Sequence, residues 1–230
     1  MDKMDKSTPR TDVTRASVPA AVIKRLPRYH RFLGELLRDG RGRISSSELS
    51  KIMGVTASQI RQDLNCFGGF GQQGYGYNIE YLYGKISELL GVNEGYRAVI
   101  VGAGNLGKAL AASRMFERRG VKKLALFDVD KSIIGTEIYG IPVYSIDDLH
   151  DFCVENAVDI GILTVPKEAA HRVAATLVLS GVRGIWNFAS TELQIPESGV
   201  VIENIHLGDS LMTLCFELKS KGTLDTEEEE

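Results

Sequence analysis

AVIVGAGNLGKAL, residues 98–110, has the pattern of a buried strand that passes through a glycine-rich turn into a helix. Gly102, Gly104 and Gly107 give the GxGxxG spacing with which dinucleotide-binding units begin. This spacing alone is a weak signal. It also begins more than ninety residues into the chain, whereas nucleotide-dependent dehydrogenases usually place it near their N-terminus, so the preceding segment needs its own explanation.

The flanking sequence strengthens the signal. A strand, YRAVIVGAG, precedes the turn, and NLGKALAASRMFERRG predicts a helix that ends at Gly120. A second strand, KKLALFDVD, then carries Asp128 at its end, 21 residues after Gly107, at the spacing of an acid that binds ribose. All three elements of a βαβ unit are therefore present.

Each conspicuous residue of this unit has a predicted role. Gly102 permits the tight turn, Gly104 lets a pyrophosphate approach the backbone, and Gly107 lets the helix pack closely. Free N–H groups at the helix N-terminus face the phosphates. Asp128 accepts hydrogen bonds from both adenosine ribose hydroxyls and repels a 2′-phosphate, which favours NADH and NAD+. The alternative is a structural use of the same fold without a nucleotide.

The rest of this segment alternates strands and helices, which predicts a doubly wound Rossmann domain with a parallel central sheet. Its ligand should cross the carboxyl ends of the strands. The predicted cofactor-binding residues are Gly102, Ala103, Gly104, Asn105, Leu106, Gly107 and Asp128, with Thr164, Val165, Pro166, Asn187 and Phe188 around the nicotinamide half.

These strand ends supply no proton donor of the kind that hydride transfer to a carbonyl needs. Lys167 and His171 are the candidates for an enzyme, but their spacing also suits the polar face of an amphipathic helix. The other histidines are scattered. No catalytic residue and no metal site is therefore predicted, and the alternative is an NAD-dependent oxidoreductase with a fused DNA-binding domain.

Capping signals organise the first part of the chain. RLPRYHRFLGELLRDG predicts an amphipathic helix that Gly40 ends. Ser45 and Glu48 have capping-box spacing before a short helix that ends at Gly54, and Thr56 opens another. Two short helices joined by a turn with glycine form a helix-turn-helix.

GGFGQQGYGYN then suits a two-stranded hairpin, the wing of a winged-helix domain, and Asn78 can cap the helix that follows. In such a domain the second helix of the motif enters the major groove. The predicted DNA-binding residues lie on this helix and at the wing tip, with Arg61 as the leading candidate: Ser58, Gln59, Arg61, Gln62, Gln72, Gln73 and Tyr75. A winged helix used for protein contacts is the alternative.

Charge separates the two parts. Residues 1–92 carry 14 Lys and Arg against 9 Asp and Glu, whereas the rest of the chain carries 13 against 21. A basic module joined to an acidic one suggests a polyanion as partner of the first, although two solvated surfaces would look the same.

Three separated cysteines predict no disulfide framework, and the polar start with no long apolar run predicts a cytoplasmic protein without a membrane segment.

The C-terminal stretch LGDSLMTLCFELKS carries more apolar surface than a terminal helix needs, and packing on a partner subunit is preferred over packing on its own domain. The predicted organisation is a flexible basic tail (1–17), a winged-helix domain (18–92), a Rossmann domain (95–206), a dimerisation helix (207–221) and a disordered acidic tail (222–230).

Taken together, these segments resemble the bacterial Rex family of redox-sensing transcriptional repressors. The resemblance runs from about Val18 to Leu218 and rests on KRLPRYHRFL, SSSELSKIMGV, IRQDLNCFGGFGQQGYGYN, IVGAGNLGKAL, FDVD, IGTEIYGIPVYSIDDL, ILTVPKEAA and GIWNFA. It implies a homodimer that exchanges its C-terminal helices and binds a palindromic operator. It further implies that NADH releases the DNA, whereas NAD+ competes for the same pocket and permits repression.

The chain departs from the family pattern at five positions. Gln62, Gln72 and Gln73 stand where many members carry lysine or arginine, which predicts weaker phosphate binding. Ser113 and His206 replace a common tyrosine and a common aspartate at positions that the family associates with redox sensing. Discrimination between NADH and NAD+ is therefore expected to be weaker or built differently.

Overall fold

The computed structural model describes residues 18–66, 71–72, 76–196 and 198–227. The chain divides into two compact units, Met1–Asn93 and Glu94–Glu230. Among the described residues, none of the helices combines the length and hydropathy that crossing a bilayer requires.

The first unit is a winged helix, as predicted. Its elements in chain order are α1 (Ala20–Ile23), α2 (Leu26–Arg38), β1 (Arg43–Ile44), α3 (Ser46–Met53), α4 (Ala57–Asn65), β2 (Gly71–Gln72), β3 (Gly76–Asn78) and α5 (Ile79–Leu90). Strand β3 pairs with β2 in the wing and, on its other side, with β1, which the sequence did not predict. Gly76 permits this second pairing, since a Cβ there would lie 2.7 Å from the Ile44 carbonyl oxygen.

The predicted caps fix the ends of the short helices. Ser45 and Glu48 form the full capping box of α3, and Gly54 ends that helix in the left-handed conformation. The hydroxyl of Thr56 caps α4, and the Asn78 side chain caps α5. Each cap satisfies backbone N–H groups that a helix N-terminus leaves unpaired, so it fixes the residue at which its helix begins.

The second unit is a Rossmann domain. Its elements are β4 (Tyr96–Val101), α6 (Asn105–Ala112), β5 (Val121–Asp128), β6 (Glu137–Ile138), β7 (Ile141–Ser145), α7 (Leu149–Glu155), β8 (Ile160–Leu163), α8 (Lys167–Leu179), β9 (Gly184–Asn187), β10 (Val201–Asn204) and α9 (Leu207–Glu227). The sheet order is β10-β9-β8-β4-β5-β7-β6, and every pair is parallel except the edge pair β6 and β7. The predicted fold class is thus confirmed.

Two predicted boundaries were wrong. Helix α6 stops at Ala112 instead of continuing to Gly120, because Ser113 is extended and the chain then turns into a short 3-10 helix, Glu117–Arg119. Lys123 stabilises this stop by donating to the carbonyls of Ala111 and Ser113 at 2.8 and 2.6 Å. At the other end, α9 extends to Glu227, six residues beyond the predicted dimerisation helix, and residues 228–230 lie outside the described part of the chain.

Candidate functional site

The candidate nucleotide site lies at the centre of the parallel sheet. Strand β4 lies between β5 and β8, so the connections from its neighbours run in opposite directions and leave a crevice at the carboxyl ends. The glycine turn after β4 and Thr164 after β8 face each other there, and the Thr164 hydroxyl donates to the Gly102 carbonyl at 2.7 Å. The site predicted from the sequence therefore occupies the topological switch point.

The three glycines have distinct geometries. Gly102 has φ +101°, and a Cβ on it would approach the Thr164 carbonyl oxygen to 2.6 Å. A Cβ on Gly107 would overlap the carbonyl oxygen of Gly102. A Cβ on Gly104 would meet nothing within 4 Å. The protein itself therefore requires glycine at 102 and 107, whereas at 104 the open space in front of α6 fits a bound group.

Asp128 joins the second strand to the glycine turn. Its Oδ2 accepts a hydrogen bond from the Ala103 N–H at 2.6 Å, and its Oδ1 accepts from the N–H groups of Val129 and Asp130 at 2.7 and 3.0 Å. Sequence reasoning assigned this carboxylate to ribose alone and missed the bond to Ala103. Since a carboxylate has about four lone-pair positions, capacity remains for a ribose hydroxyl.

The residues predicted around the nicotinamide half have different positions. Val165 is half-buried, and Pro166 is exposed and N-terminal to α8. The Asn187 amide is fully buried and pairs with the Thr191 carbonyl, with Asn204 and with the Ala189 N–H. It therefore shapes the loop after β9, while the neighbouring Phe188 ring remains half-exposed.

An aromatic cluster that the sequence analysis missed supports this loop. The ring of Phe188 packs edge-on against Trp186 at 4.6 Å between centroids, and Trp186 in turn contacts Phe116 at 6.1 Å. The segment GIWNFA predicted strand β9 but not these ring contacts, since Phe116 lies far from it in the sequence. Because Trp186 is the chain's single tryptophan, its fluorescence can report binding at the nearby crevice.

The crevice fits a dinucleotide. The N-terminus of α6 carries no side-chain cap, since Gly104 precedes it, so its N–H groups remain available to a diphosphate. Asn105 is exposed and Leu106 half-buried in this first turn, and Asp128 lies at the end of the adjacent strand. Backbone donors, an open glycine and a carboxylate match the phosphates and ribose of an unphosphorylated dinucleotide.

The candidates for catalysis are not assembled into a reactive group. Lys167 and His171 are both exposed on α8. Two histidines do contact serines at 3.0 Å, His30 with Ser87 and His150 with Ser180, but each serine hydroxyl donates to a backbone carbonyl one turn earlier in its helix. Among the described residues no cluster of His, Cys, Asp and Glu suits a metal ion.

Helix α4 is the second helix of the helix-turn-helix, the position from which a recognition helix enters the major groove. It presents Ser58, Arg61 and Gln62 to solvent, while Ile60 and Leu64 are fully buried. Arg61 Nη1 donates to Ser46 Oγ at 3.2 Å, a contact with the N-terminal end of α3. Gln72 lies on β2; the other two predicted wing contacts, Gln73 and Tyr75, lie outside the described residues.

The remaining predicted contact on α4, Gln59, is bonded to a buried carboxylate. Its amide donates to Asp63 at 2.8 Å, and Asp63 is only 1% exposed. The same carboxylate accepts from Arg25 Nε and Nη2 at 2.8 and 2.7 Å and from the Tyr29 hydroxyl at 2.9 Å. Sequence reasoning missed this network. The signal was Asp63 itself, a charged residue placed between Ile60 and Leu64 on the predicted buried face of the helix.

Helix α9 exposes its apolar side chains. All described side chains of residues 207–220 are exposed, including six large apolar ones: Leu207, Leu211, Met212, Leu214, Phe216 and Leu218. So many exposed large apolar side chains on one helix are unusual for a chain that acts alone.

Sequence models of two families match the chain, "Putative DNA-binding protein N-terminus" over residues 17–65 and "CoA binding domain" over residues 93–191. The redox-sensing transcriptional repressor Rex of Clostridium tetani (strain Massachusetts / E88) is 51% identical over 87% of this chain and 94% of the relative. The Rex repressor of Thermoanaerobacter pseudethanolicus (strain ATCC 33223 / 39E) is 49% identical over 90% and 92%.

Solved structures agree with these relatives. The crystal structure of RSP in complex with beta-NAD+ and operator DNA is 48% identical, with a TM-score of 0.84 over 93% of this chain and 98% of that one. The crystal structure of RSP in complex with beta-NADH is 45% identical, with a TM-score of 0.83 over 91% and 98%. With about half of the residues shared along nearly the whole length, this chain belongs to the Rex family of redox-sensing transcriptional repressors.

Proposed function

We propose that this chain is a DNA-binding repressor that senses the balance of NADH and NAD+, and that NADH releases it from a palindromic operator. One observation carries the proposal: an exposed recognition helix and an open dinucleotide crevice occur in the same chain. The relatives named above are transcriptional repressors, and RSP binds NAD+, NADH and operator DNA.

The test is a titration of DNA with the full-length chain, carried out without nucleotide and with NADH, NAD+ or NADPH. An affinity for DNA that is the same in all four conditions would contradict the proposal.

The nucleotide acts in this proposal as a signal and not as a co-substrate. When bound, it supplies a redox-dependent charge on its nicotinamide ring. The turn from Gly102 to Gly107 would hold its pyrophosphate, Asp128 its adenosine ribose, and Thr164, Val165, Pro166 and Phe188 would surround the nicotinamide half. Asn187, whose amide is used within the protein, would position that loop. No acid or base of this chain is assigned to hydride transfer, so the chain is proposed not to be an enzyme.

The nucleotide site should reject a 2′-phosphate. Because the Asp128 carboxylate lies where the ribose hydroxyls would bind, NADH is expected to bind at least tenfold more tightly than NADPH, about 1.4 kcal/mol. Asp128→Ala should narrow this gap by weakening NADH binding. Calorimetric titration measures the dissociation constants of NADH and NADPH. Asp151→Ala is the control, since it removes an exposed carboxylate on α7. Equal constants for NADH and NADPH in the unaltered chain would refute this specificity.

The functional unit is proposed to be a homodimer with exchanged α9 helices. The exposed apolar side chains of α9 support this, since burying each large one stabilises an assembly by roughly 1.5–3 kcal/mol. A dimer also suits a palindromic operator, because two related recognition helices read two related half-sites.

Cys215 provides a test of this assembly. It is exposed on α9 of the single chain, whereas Cys153 is buried, which raises the pKa of its thiol to about 12. If α9 packs against a partner, maleimide should label Cys215 of the native protein at least tenfold more slowly than Cys215 of a Leu214→Asp variant. Mass spectrometry locates the label, and sedimentation gives the size. Equal labelling of Cys215 in both proteins would exclude the exchange, while Cys153 should resist labelling in each.

A further inference from the structure

The buried carboxylate of Asp63 fixes an arginine beside the recognition helix. Arg25 immediately precedes α2, and its Nε and Nη2 both donate to Asp63 in a forked pair. Arg25 Nη2 and the Gln59 amide share the same acceptor, Asp63 Oδ1. The guanidinium therefore lies next to Gln59, near the N-terminal end of α4, which is the end that approaches DNA in a helix-turn-helix.

The pairing leaves part of the guanidinium available. A guanidinium has five N–H donors, and the fork to Asp63 uses one on Nε and one on Nη2. The Arg25 side chain is 32% exposed, so the remaining donors can reach an anion in solvent. Arg28, in the first turn of α2, differs, since its guanidinium donates to the Met53 carbonyl at the end of α3.

Stability alone does not explain this ion pair. Burial by itself would raise the pKa of Asp63, but the hydrogen bonds from Arg25, Gln59 and Tyr29 outweigh it and hold the pKa below its usual value. A buried carboxylate that must be compensated in this way generally stabilises a fold no better than apolar side chains of similar volume. What the arrangement does provide is a planar guanidinium with a fixed orientation, whose remaining N–H groups can donate to the two non-bridging oxygens of a phosphate.

We propose that Arg25 donates to a phosphate of the DNA backbone and that Asp63 is its positioning residue. This inference rests on the proposed DNA-binding function and adds to it a phosphate contact from outside the recognition helix and the wing. A phosphate contact carries no sequence information, so Arg25 should contribute equally to all duplexes, whereas a base contact from Arg61 should favour the operator.

The experiment measures DNA affinity against salt for the full-length chain. The probes are a duplex enriched by this chain from a random-sequence pool and a shuffled duplex of equal length. In the Arg25→Gln/Asp63→Asn variant both charges are removed, so no buried carboxylate is left unpaired. Arg38→Gln removes the same cation from the opposite end of α2 as a matched control. Melting curves and NADH binding, followed by Trp186 fluorescence, show whether each variant is folded.

We expect the slope of log affinity against log salt to fall by about 0.9 for each protomer in the Arg25→Gln/Asp63→Asn variant, called the paired variant, and to stay unchanged in Arg38→Gln. The paired variant should weaken both duplexes by the same factor, while Arg61→Ala should reduce the ratio between them. Arg25→Lys keeps a counter-charge for Asp63 but lacks the rigid fork that holds Asp63 with two N–H groups while the others face solvent, so its slope should also fall.

Two results would overturn the inference, and they differ from failure of the proposed function. A wild-type slope in both Arg25 variants would mean that Arg25 only holds the fold together. A change in the ratio of the two duplexes would make Arg25 a base-reading residue instead. If the unaltered chain showed no salt-dependent affinity for either duplex, the DNA-binding function itself would be wrong, and Arg25 with it.

Discussion

Gly104→Ala is expected to weaken NADH binding by about 1–3 kcal/mol, roughly 5- to 150-fold, without lowering the melting temperature. A Cβ at this position meets no protein atom within 4 Å, so the free protein tolerates it. The same methyl group would occupy the space in front of α6 where a pyrophosphate approaches the backbone. The loss should therefore appear in calorimetry with NADH and not in thermal unfolding.

Gly107→Ala is the matched contrast. Its Cβ would overlap the backbone oxygen of Gly102, which no rotation of a side chain can relieve. This substitution should lower both the melting temperature and the affinity for NADH. If Gly104→Ala bound NADH as tightly as the unaltered chain, the pyrophosphate would not approach the protein at residue 104, and the assigned binding mode would be wrong.

Local signals predicted much of the fold. Ser45, Thr56 and Asn78 were identified as caps from sequence spacing because a cap depends on residues within one turn. The Rossmann unit was predictable for a similar reason, since its glycines and Asp128 lie in one continuous βαβ segment. Short-range rules were therefore sufficient where the physical cause is also short-range.

Long-range contacts set the features that the sequence did not predict. The end of α6 depends on Lys123, which lies on the next strand and binds the carbonyls of Ala111 and Ser113. The Asp63 network joins residues 34 and 38 positions apart, so its partners Tyr29 and Arg25 could not be identified from spacing. For the same reason Gln59 was interpreted as facing solvent or DNA, although its amide is bonded to Asp63.

NADH is expected to reduce operator affinity by about 1–3 kcal/mol, a factor of roughly 5 to 150, and NAD+ is expected to reduce it less. A ligand can shift the equilibrium between a DNA-binding and a released dimer only by its difference in affinity for the two states. The size of the effect should not depend on the sequence of the operator, provided that both recognition helices contact it.

The difference between the two nucleotides is expected to be small in this chain. Ser113 lacks the aromatic ring of the tyrosine that is common at this position. Its carbonyl accepts from Lys123 and its hydroxyl accepts from the Met115 N–H at 3.3 Å. His206 is exposed just before α9. If tyrosine and aspartate at these two positions sharpen redox sensing, Ser113→Tyr/His206→Asp should widen the gap between NADH and NAD+, and each single variant should widen it less.

Reciprocity provides a strict test of the coupling. At equilibrium, the factor by which NADH weakens operator binding must equal the factor by which operator DNA weakens NADH binding. Fluorescence anisotropy of labelled operator gives the first factor at saturating NADH, at saturating NAD+ and without nucleotide, and Trp186 fluorescence gives the second with and without DNA. The Gly104→Ala variant should bind operator with the affinity of the nucleotide-free chain and respond to NADH only at correspondingly higher concentrations. Operator affinities that are the same in all three conditions would mean that the nucleotide is not the signal, and a catalytic or purely structural use of the crevice would then account better for this fold.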